Sequence, residues 1–446
     1  MDFIPHDRET INEMLKVIGV DSIDDLYQDI THDLKIDKLN LPEDLSEPDL
    51  LKQLKKISSK NKLFKSSFCG AGCYYHYIPS LIDFVISRSE FYTSYTPYQA
   101  EASQGYLQAI FEYQSSISRL TGMDVANASM YDGSTALAEA AIISTIIMRK
   151  NKVLLVEGIH PEYVEVLKTY CWGYHIEYEL VSEDLLFSKL NDEIAAILFQ
   201  SPNFFGEIED VELLVKKIRT VAPKCLIIQV MTDLTCLGIL KPPGDMDIDI
   251  FVAEGQSLGI SPSFGGPGLG IFTAKNLFLR KVPGRLIGKT REINGEKEGF
   301  ILTLQAREQH IRREKAISNI CTNQSLCSLA ALTYLVSLGK TGLKEVAIQN
   351  VQKANYVKQK LGAIEGFEIL NQKPTYNEFL VKCPNLNRFR NLCTEKNLLS
   401  PLNLTRYFPD MKDVALVCVT EMNNKSDIDT SLDAALLSIQ QTKRRD

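Results

Sequence analysis

The chain has 446 residues, 45% of them hydrophobic and 24% charged, with a net charge of −7 and ten cysteines. That length and apolar content support a large buried core, divided between a large and a small domain. The acidic balance, with no compensating basic stripe, argues against nucleic acid or an anionic membrane surface as the main partner.

The opening residues carry Asp2, Asp7 and Glu9 with no apolar run behind them, unlike a secretory leader. No stretch reads as long and apolar enough to span a bilayer. The cysteines are scattered, and the closest pair, Cys69 and Cys73, reads as reduced, packed thiols rather than a redox or metal site. A cytoplasmic protein without a metal centre is expected.

Residues 10–60 show helical periodicity in short pieces, Ile11 to Ile18 and Leu50 to Ile57, separated by the Pro/Asp/Glu-rich run from Leu41 to Pro48. Such an amphipathic arm cannot bury its apolar face alone, so it is expected to wrap the main body or a partner. From Phe68 the composition shifts to small residues and tyrosines. Most of those rings read as core or interface aromatics. His76, Tyr95, Tyr98, Gln99, Ser103 and Gln104 also offer neutral donors of the kind that line a pocket for a small zwitterion or a phosphate.

Asp132-Gly133-Ser134 then opens a helix expected to run from Thr135 to Met148. Ser134 at that turn is a candidate anion contact through the free N–H groups and the helix dipole, although many such turns are only caps. Strand patterns at Lys152 to Val156, His175 to Val181, Ile194 to Gln200 and Leu226 to Val230 alternate with helical ones at Glu162 to Tyr170 and Val211 to Val221. Repeated βα units with apolar strands predict an α/β fold with a mostly parallel sheet covered on both faces. Ligands of such sheets sit at the carboxyl ends of the strands, where His160 and Asp233 fall. Asp233 could pair with a pyridinium nitrogen or cap a turn, and a lone His160 is more often a hydrogen-bonded structural histidine than a base.

The strand expected at Ile248 to Val252 leads into the glycine-rich turn from Ala253 to Gly270. In pyridoxal-phosphate enzymes on alternating α/β scaffolds, a turn of this kind commonly carries the lysine that holds the cofactor as a Schiff base. Here the position holds Gln256, whose amide cannot form an imine, and Lys275 lies beyond the next strand. Gln256 and Asp233 are therefore read as a pseudo-site. A charge run at residues 307–315 and a long helix to about Leu338 follow; past Gly339 the pattern of helix, strand, helix, strand, helix predicts a small α+β domain. The expected domains are a helical arm at 1–65, a large α/β domain at 66–325, and a linking helix with the small domain at 326–446.

The strings Glu90 to Gln99, Ser103 to Glu112, Thr121 to Gly133, Gly238 to Gly244, Glu254 to Gly268 and Thr303 to Asn323 resemble the N-terminal subunit of the two-subunit form of glycine decarboxylase, the P-protein of the glycine cleavage system. The resemblance covers nearly the whole chain. It implies a fold-type-I pyridoxal-phosphate architecture and a homologous second subunit that carries the cofactor lysine, assembled as a two-plus-two heterotetramer. It also implies pyridoxal phosphate bound by that partner, glycine as substrate, and transfer of the aminomethyl group to the lipoyl arm of H-protein. Under this resemblance Tyr95, His76, Tyr98 and Gln99 are candidates to act in trans, with Ser103, Gln104 and Ser134 as contacts. A scaffold or regulatory subunit without catalytic residues is the alternative.

Overall fold

The computed structural model describes residues 6–36 and 38–440. The chain forms two compact units, Met1–Leu63 and Phe64–Asp446. In the first, α1 (Arg8–Ile18) starts on an Asp7 side chain that accepts the Thr10 N–H and ends on Gly19 in the left-handed region, while α2 (Glu47–Ser58) starts on Ser46. Val17, Leu34, Ile36, Leu54 and Leu63 of this unit are exposed.

The second unit is built on a seven-stranded sheet. After α3 (Gln104–Thr121), β1 (Val125–Ala126) and α4 (Gly133–Met148), the chain alternates through β2 (Lys152–Val156), α5 (Pro161–Tyr174), β3 (Glu177–Val181), β4 (Ile194–Gln200), α6 (Val211–Val221), β5 (Leu226–Met231), β6 (Ile250–Glu254) and β7 (Gly270–Ala274). The strand order is β1-β7-β6-β5-β4-β2-β3. Strands β2 to β6 pair in parallel, and β7 runs against β6. Every residue of β4, β5, β6 and β7 is buried. Their apolar runs lack polar alternation because helices cover both faces, as the sequence pattern predicted. One face packs Leu154, Ile197, Phe199 and Ile227 against α6; the other packs Val153, Leu155, Leu198 and Ile228 against α4 and α5.

Beyond β7 an antiparallel hairpin, β8 (Leu286–Arg291) and β9 (Glu298–Thr303), lies against α3. The long helix α7 (Ser325–Gly362) leads to a four-stranded antiparallel sheet in the order β10-β11-β13-β12, with β10 (Glu368–Ile369), β11 (Glu378–Lys382), β12 (Leu402–Asn403) and β13 (Val414–Cys418). Helices α8 (Leu386–Glu395) and α9 (Lys425–Gln440) pack on that sheet.

The expectation that no stretch reaches spanning length needs amending, because α7 is long and apolar enough by length and composition. Gly339, at φ 59° and ψ −170°, breaks it into two helices. The first sends Ala330, Ala331 and Tyr334 into the core under the parallel sheet, and the second sends Ala354, Val357 and Leu361 into the core of the small one. The second also carries Lys344, Glu345, Lys353, Lys358 and Lys360.

The two sheets are stitched by backbone. Glu207 bridges Thr375, Ile208 N–H donates to Pro374 O at 2.8 Å, and a Cβ on Gly206 would stand 2.1 Å from Glu378 O. Only glycine permits that approach.

Candidate active site and its filled pocket

The carboxyl ends of β4, β5 and β6 meet the segment from Gly70 to Ile78, Glu378 of the small sheet and Glu421 just past it. Gln256, just past β6, is 7% exposed and its amide is engaged on both sides. Its Oε1 accepts the Tyr74 N–H at 2.8 Å, while Nε2 donates to Tyr74 O at 3.0 Å and Ile260 O at 2.6 Å. This reciprocal exchange docks the segment into the sheet end. The Tyr74 hydroxyl, fully buried, donates to Glu378 Oε2 at 2.8 Å and sits 3.0 Å from Thr232 Oγ1. Burial pushes the Glu378 carboxyl up to about 7, against the pull of the Ala71 N–H and the Tyr74 hydroxyl.

Two residues further on, His76 fills the space before Asp233. Its Nε2 lies 3.0 Å from Asp233 Oδ2 and its Nδ1 2.8 Å from Glu421 Oε2, with the side chain 2% exposed. Burial alone would depress the imidazole, but the Asp233 and Glu421 carboxylates outweigh it and hold the pKa up at about 10. The ring is therefore an imidazolium donating from both nitrogens. Burial would raise the Asp233 carboxyl, yet the His76 charge keeps it below the ordinary range. Thr235 and Asn377 supply Asp233 with further donors, the Thr235 N–H at 3.0 Å and the Asn377 amide at 2.7 Å.

At the start of α4 the Gly133 and Thr135 N–H groups are also taken. Glu254, 6% exposed, accepts from Gly133 N–H at 2.9 Å, Leu269 N–H at 2.8 Å and Gln256 N–H at 3.0 Å. Burial raises its pKa, with the Asp132 charge adding to the rise. Asp132 caps the helix through the Thr135 N–H at 2.8 Å and holds the Ser134 hydroxyl. The remaining cavity of about 310 Å³ is lined by Gly72, Cys73, Asp132, Ser134, Glu162 and Glu254, among others, and by no lysine or arginine.

These residues do not fit pyridoxal phosphate. No amine stands at Gln256, the strand-end acid already holds a cation of its own, and a phosphate at α4 would meet Glu254 and Asp132. Lys152 and Lys275 offer no substitute: they pair with Glu179 at 2.9 Å and Asp249 at 2.8 Å, at the opposite end of the sheet. His160 is hydrogen-bonded through both ring nitrogens. Nε2 donates to Ala71 O at 2.8 Å, Nδ1 accepts the Glu162 N–H at 3.2 Å, and burial lowers the pKa.

The remaining candidates separate. His76 belongs to the chain's own pocket with both ring nitrogens engaged, so it is withdrawn as a group presented to a neighbour. Gln104 is a clamp rather than a contact: its amide donates to Ala100 O and Phe300 O and accepts the Phe300 N–H at 2.9 Å, fastening α3 to β9. Tyr95 and Tyr98 are 72% and 66% exposed, and Gln99 is exposed beside them. Tyr95 and the half-buried Ser103 line a cleft of about 330 Å³ with Glu90, Thr96 and Tyr106. Sequence reasoning missed Tyr74, Glu254, Glu378 and Glu421 as site residues; only Glu254, beside the glycine-rich turn, carried a local signal.

A profile of the glycine cleavage system P-protein matches residues 1–435. A probable glycine dehydrogenase (decarboxylating) subunit 1 of Carboxydothermus hydrogenoformans is 46% identical over 96% of this chain and 98% of its own. The corresponding protein of Listeria innocua is 47% identical over 96% and 97%. Among solved structures, an inhibitor-bound glycine decarboxylase (P-protein) superposes with a TM-score of 0.90 at 37% identity, covering 98% of this chain and 100% of that one. A Lactobacillus brevis glutamate decarboxylase shares the fold alone, with a TM-score of 0.65 at 13% identity over 91% of this chain and 95% of that one.

Proposed function

The chain belongs to the glycine cleavage system P-protein family, and on that premise we propose that it is the lysine-lacking subunit of a heteromeric glycine decarboxylase. The complex, read as a cytoplasmic two-plus-two heterotetramer, decarboxylates glycine and passes the aminomethyl group to the lipoyl arm of H-protein. Pyridoxal phosphate and its lysine belong to the second subunit. One observation carries the reading: Gln256, His76 and Glu254 are each engaged by this chain's own groups and no amine stands at residue 256, which supports chemistry centred on the second subunit.

What this chain contributes is the loop with Tyr95, Tyr98 and Gln99, whose side chains point outward. Their hydroxyls and amide suit a small zwitterion, and their role is to hold the glycine carboxylate or the cofactor in position across the interface, an effect on orientation. A purely structural subunit would share the filled pocket; the exposed polar aromatics favour the catalytic partner. The test compares the chain alone with the complex by visible spectroscopy and glycine-dependent carbon dioxide release. The chain alone should take up no cofactor label on borohydride reduction. In the complex, Tyr95→Phe should leave assembly intact and lower kcat/KM about ten- to a hundred-fold, the loss of one charge-assisted hydrogen bond. Wild-type kinetics would leave the scaffold role as the better account.

A further inference from the structure

A loop that acts across an interface must hold its rings still, yet residues 94–98 belong to no helix or strand. Inside the loop the Tyr98 N–H donates to Thr96 O at 2.8 Å, and Pro97 is buried. Among the described residues, one hydrogen bond ties residues 95–98 to a distant element: Arg285 Nη1 donates to Thr96 Oγ1 at 2.8 Å. The same guanidinium donates through Nη2 to Cys321 O at 2.8 Å, and Nη1 lies 3.3 Å from Thr322 Oγ1. Its carbon sits 5.7 Å from the centroid of the Tyr98 ring, within cation–π range.

The anchor beneath is firm. Arg285 O accepts the Ala128 N–H at 2.9 Å, and the strand it opens, β8, pairs along its length with β9. The segment that receives the other arm of the fork is fastened by the Gln324 N–H to Ser129 Oγ at 2.9 Å.

Arg285 is 4% exposed, and every acceptor it meets is a neutral hydroxyl, amide or carbonyl. A guanidinium carries its charge into the interior, and among the described residues no carboxylate is hydrogen-bonded to it to offset the desolvation. An apolar side chain of similar volume would remove that desolvation cost while leaving Thr96, Thr322 and Cys321 short of a donor. What it could not do is bond Thr96 and Cys321 at once while offering a flat cationic face to Tyr98, which is the property of a planar fork.

We propose that Arg285 is the positioning residue of this loop, fixing Thr96 and the Tyr98 ring so that Tyr95 and Tyr98 meet the partner subunit in a single geometry. The assignment rests on the reading that the loop works in trans. Misplacing a catalytic constellation by about 1 Å costs on the order of a hundred-fold in rate, so the effect should be seen in turnover rather than in folding.

Arg285→Met is compared with wild type in the assembled complex with saturating H-protein. Assembly should hold, while kcat/KM for glycine falls on the order of a hundred-fold. Arg285→Lys keeps the charge without the fork and should fall between the two. In the isolated chain, chymotrypsin should cut after Tyr95 and Tyr98 on the order of ten times faster in Arg285→Met, because the loop has lost its tether. In a Tyr95→Phe background, Arg285→Met should add less than it does alone. Wild-type kinetics and cleavage in Arg285→Met, with Tyr95→Phe impaired, would overturn the assignment and leave the loop reading standing. Wild-type kinetics in Tyr95→Phe and Tyr98→Phe would remove that reading, and this proposal with it. Failure of both Arg285 variants to assemble, or strictly additive losses in the double variant, would make Arg285 a folding residue and overturn the proposal.

Discussion

Replacing His76 by Gln removes the cation between Asp233 and Glu421 and leaves two buried carboxylates facing a neutral amide. A rise of the imidazole from the ordinary 6.5 to about 10, at about 1.4 kcal/mol for each tenfold in proton affinity, sets a ceiling of about 5 kcal/mol on what the charged ring contributes. Removing one member of a buried pair costs about 3–5 kcal/mol in general, which agrees. With an unfolding entropy of about 2 cal/mol/K per residue, a loss of about 4 kcal/mol lowers the melting temperature of a unit this size by roughly 5 °C. The sign with pH follows from the direction of the shift. A raised imidazole stabilises fully below about pH 6.5, and its contribution is lost as pH climbs through about 10. Toward acid the variant recovers some ground, because its unpaired carboxylates can take up a proton. Urea titrations of wild type and His76→Gln, run from about pH 5 to about pH 10, should therefore give a stability gap that is widest near neutrality and narrows on both sides. A gap under about 1 kcal/mol at neutral pH, or one indifferent to pH, would refute the charged-triad account.

Three further outcomes follow from the same pocket and the arm. Gln256→Lys should gain no visible absorbance band with pyridoxal phosphate, since the amine would face Tyr74 O and Ile260 O with Asp233 and the Gly133 N–H already engaged; a stoichiometric borohydride label at residue 256 would contradict this. Glu254→Gln should lose about 1–3 kcal/mol in urea, because an amide has one acceptor oxygen for three backbone donors; an unchanged midpoint would mean the loop closes without it. The exposed apolar side chains of Met1–Leu63 should make the chain more stable when mixed with its second subunit, by mass action. Identical melting curves with and without that subunit would count against a shared interface.

The parallel sheet was legible because its signal is local. Lys152–Val156, Ile194–Gln200 and Val211–Val221 carry an apolar run or a helical stripe with turn residues at both ends, and the elements stop where those patterns stop. The hairpin from Leu286 to Thr303 was not anticipated: its outer half carries Lys289, Arg291 and Glu298, so it reads as solvated chain until the α3 clamp through Gln104 is seen. Gln256 and Asp233 could be placed because each follows a readable strand. The groups that fill the pocket could not. Glu378 and Glu421 arrive from more than 300 residues away in sequence, and no periodicity in the segment from Gly70 to Ile78 indicates that it turns inward to meet them. The tyrosines there looked alike on paper, and only burial separates Tyr74, which is sealed, from Tyr95, which is exposed.

The backbone stitching between the two sheets bears on mechanics. In a two-lobed enzyme that closes over its ligand, the lobes rotate about a few loop residues. Here such a rotation would have to pull Glu207 from Thr375 and Ile208 from Pro374, and draw Glu378 and Glu421 out of Tyr74 and His76. Each lost contact would expose a buried donor or charge. The small lobe is thus welded to the large one, and no hinge between the two sheets can open without breaking these contacts.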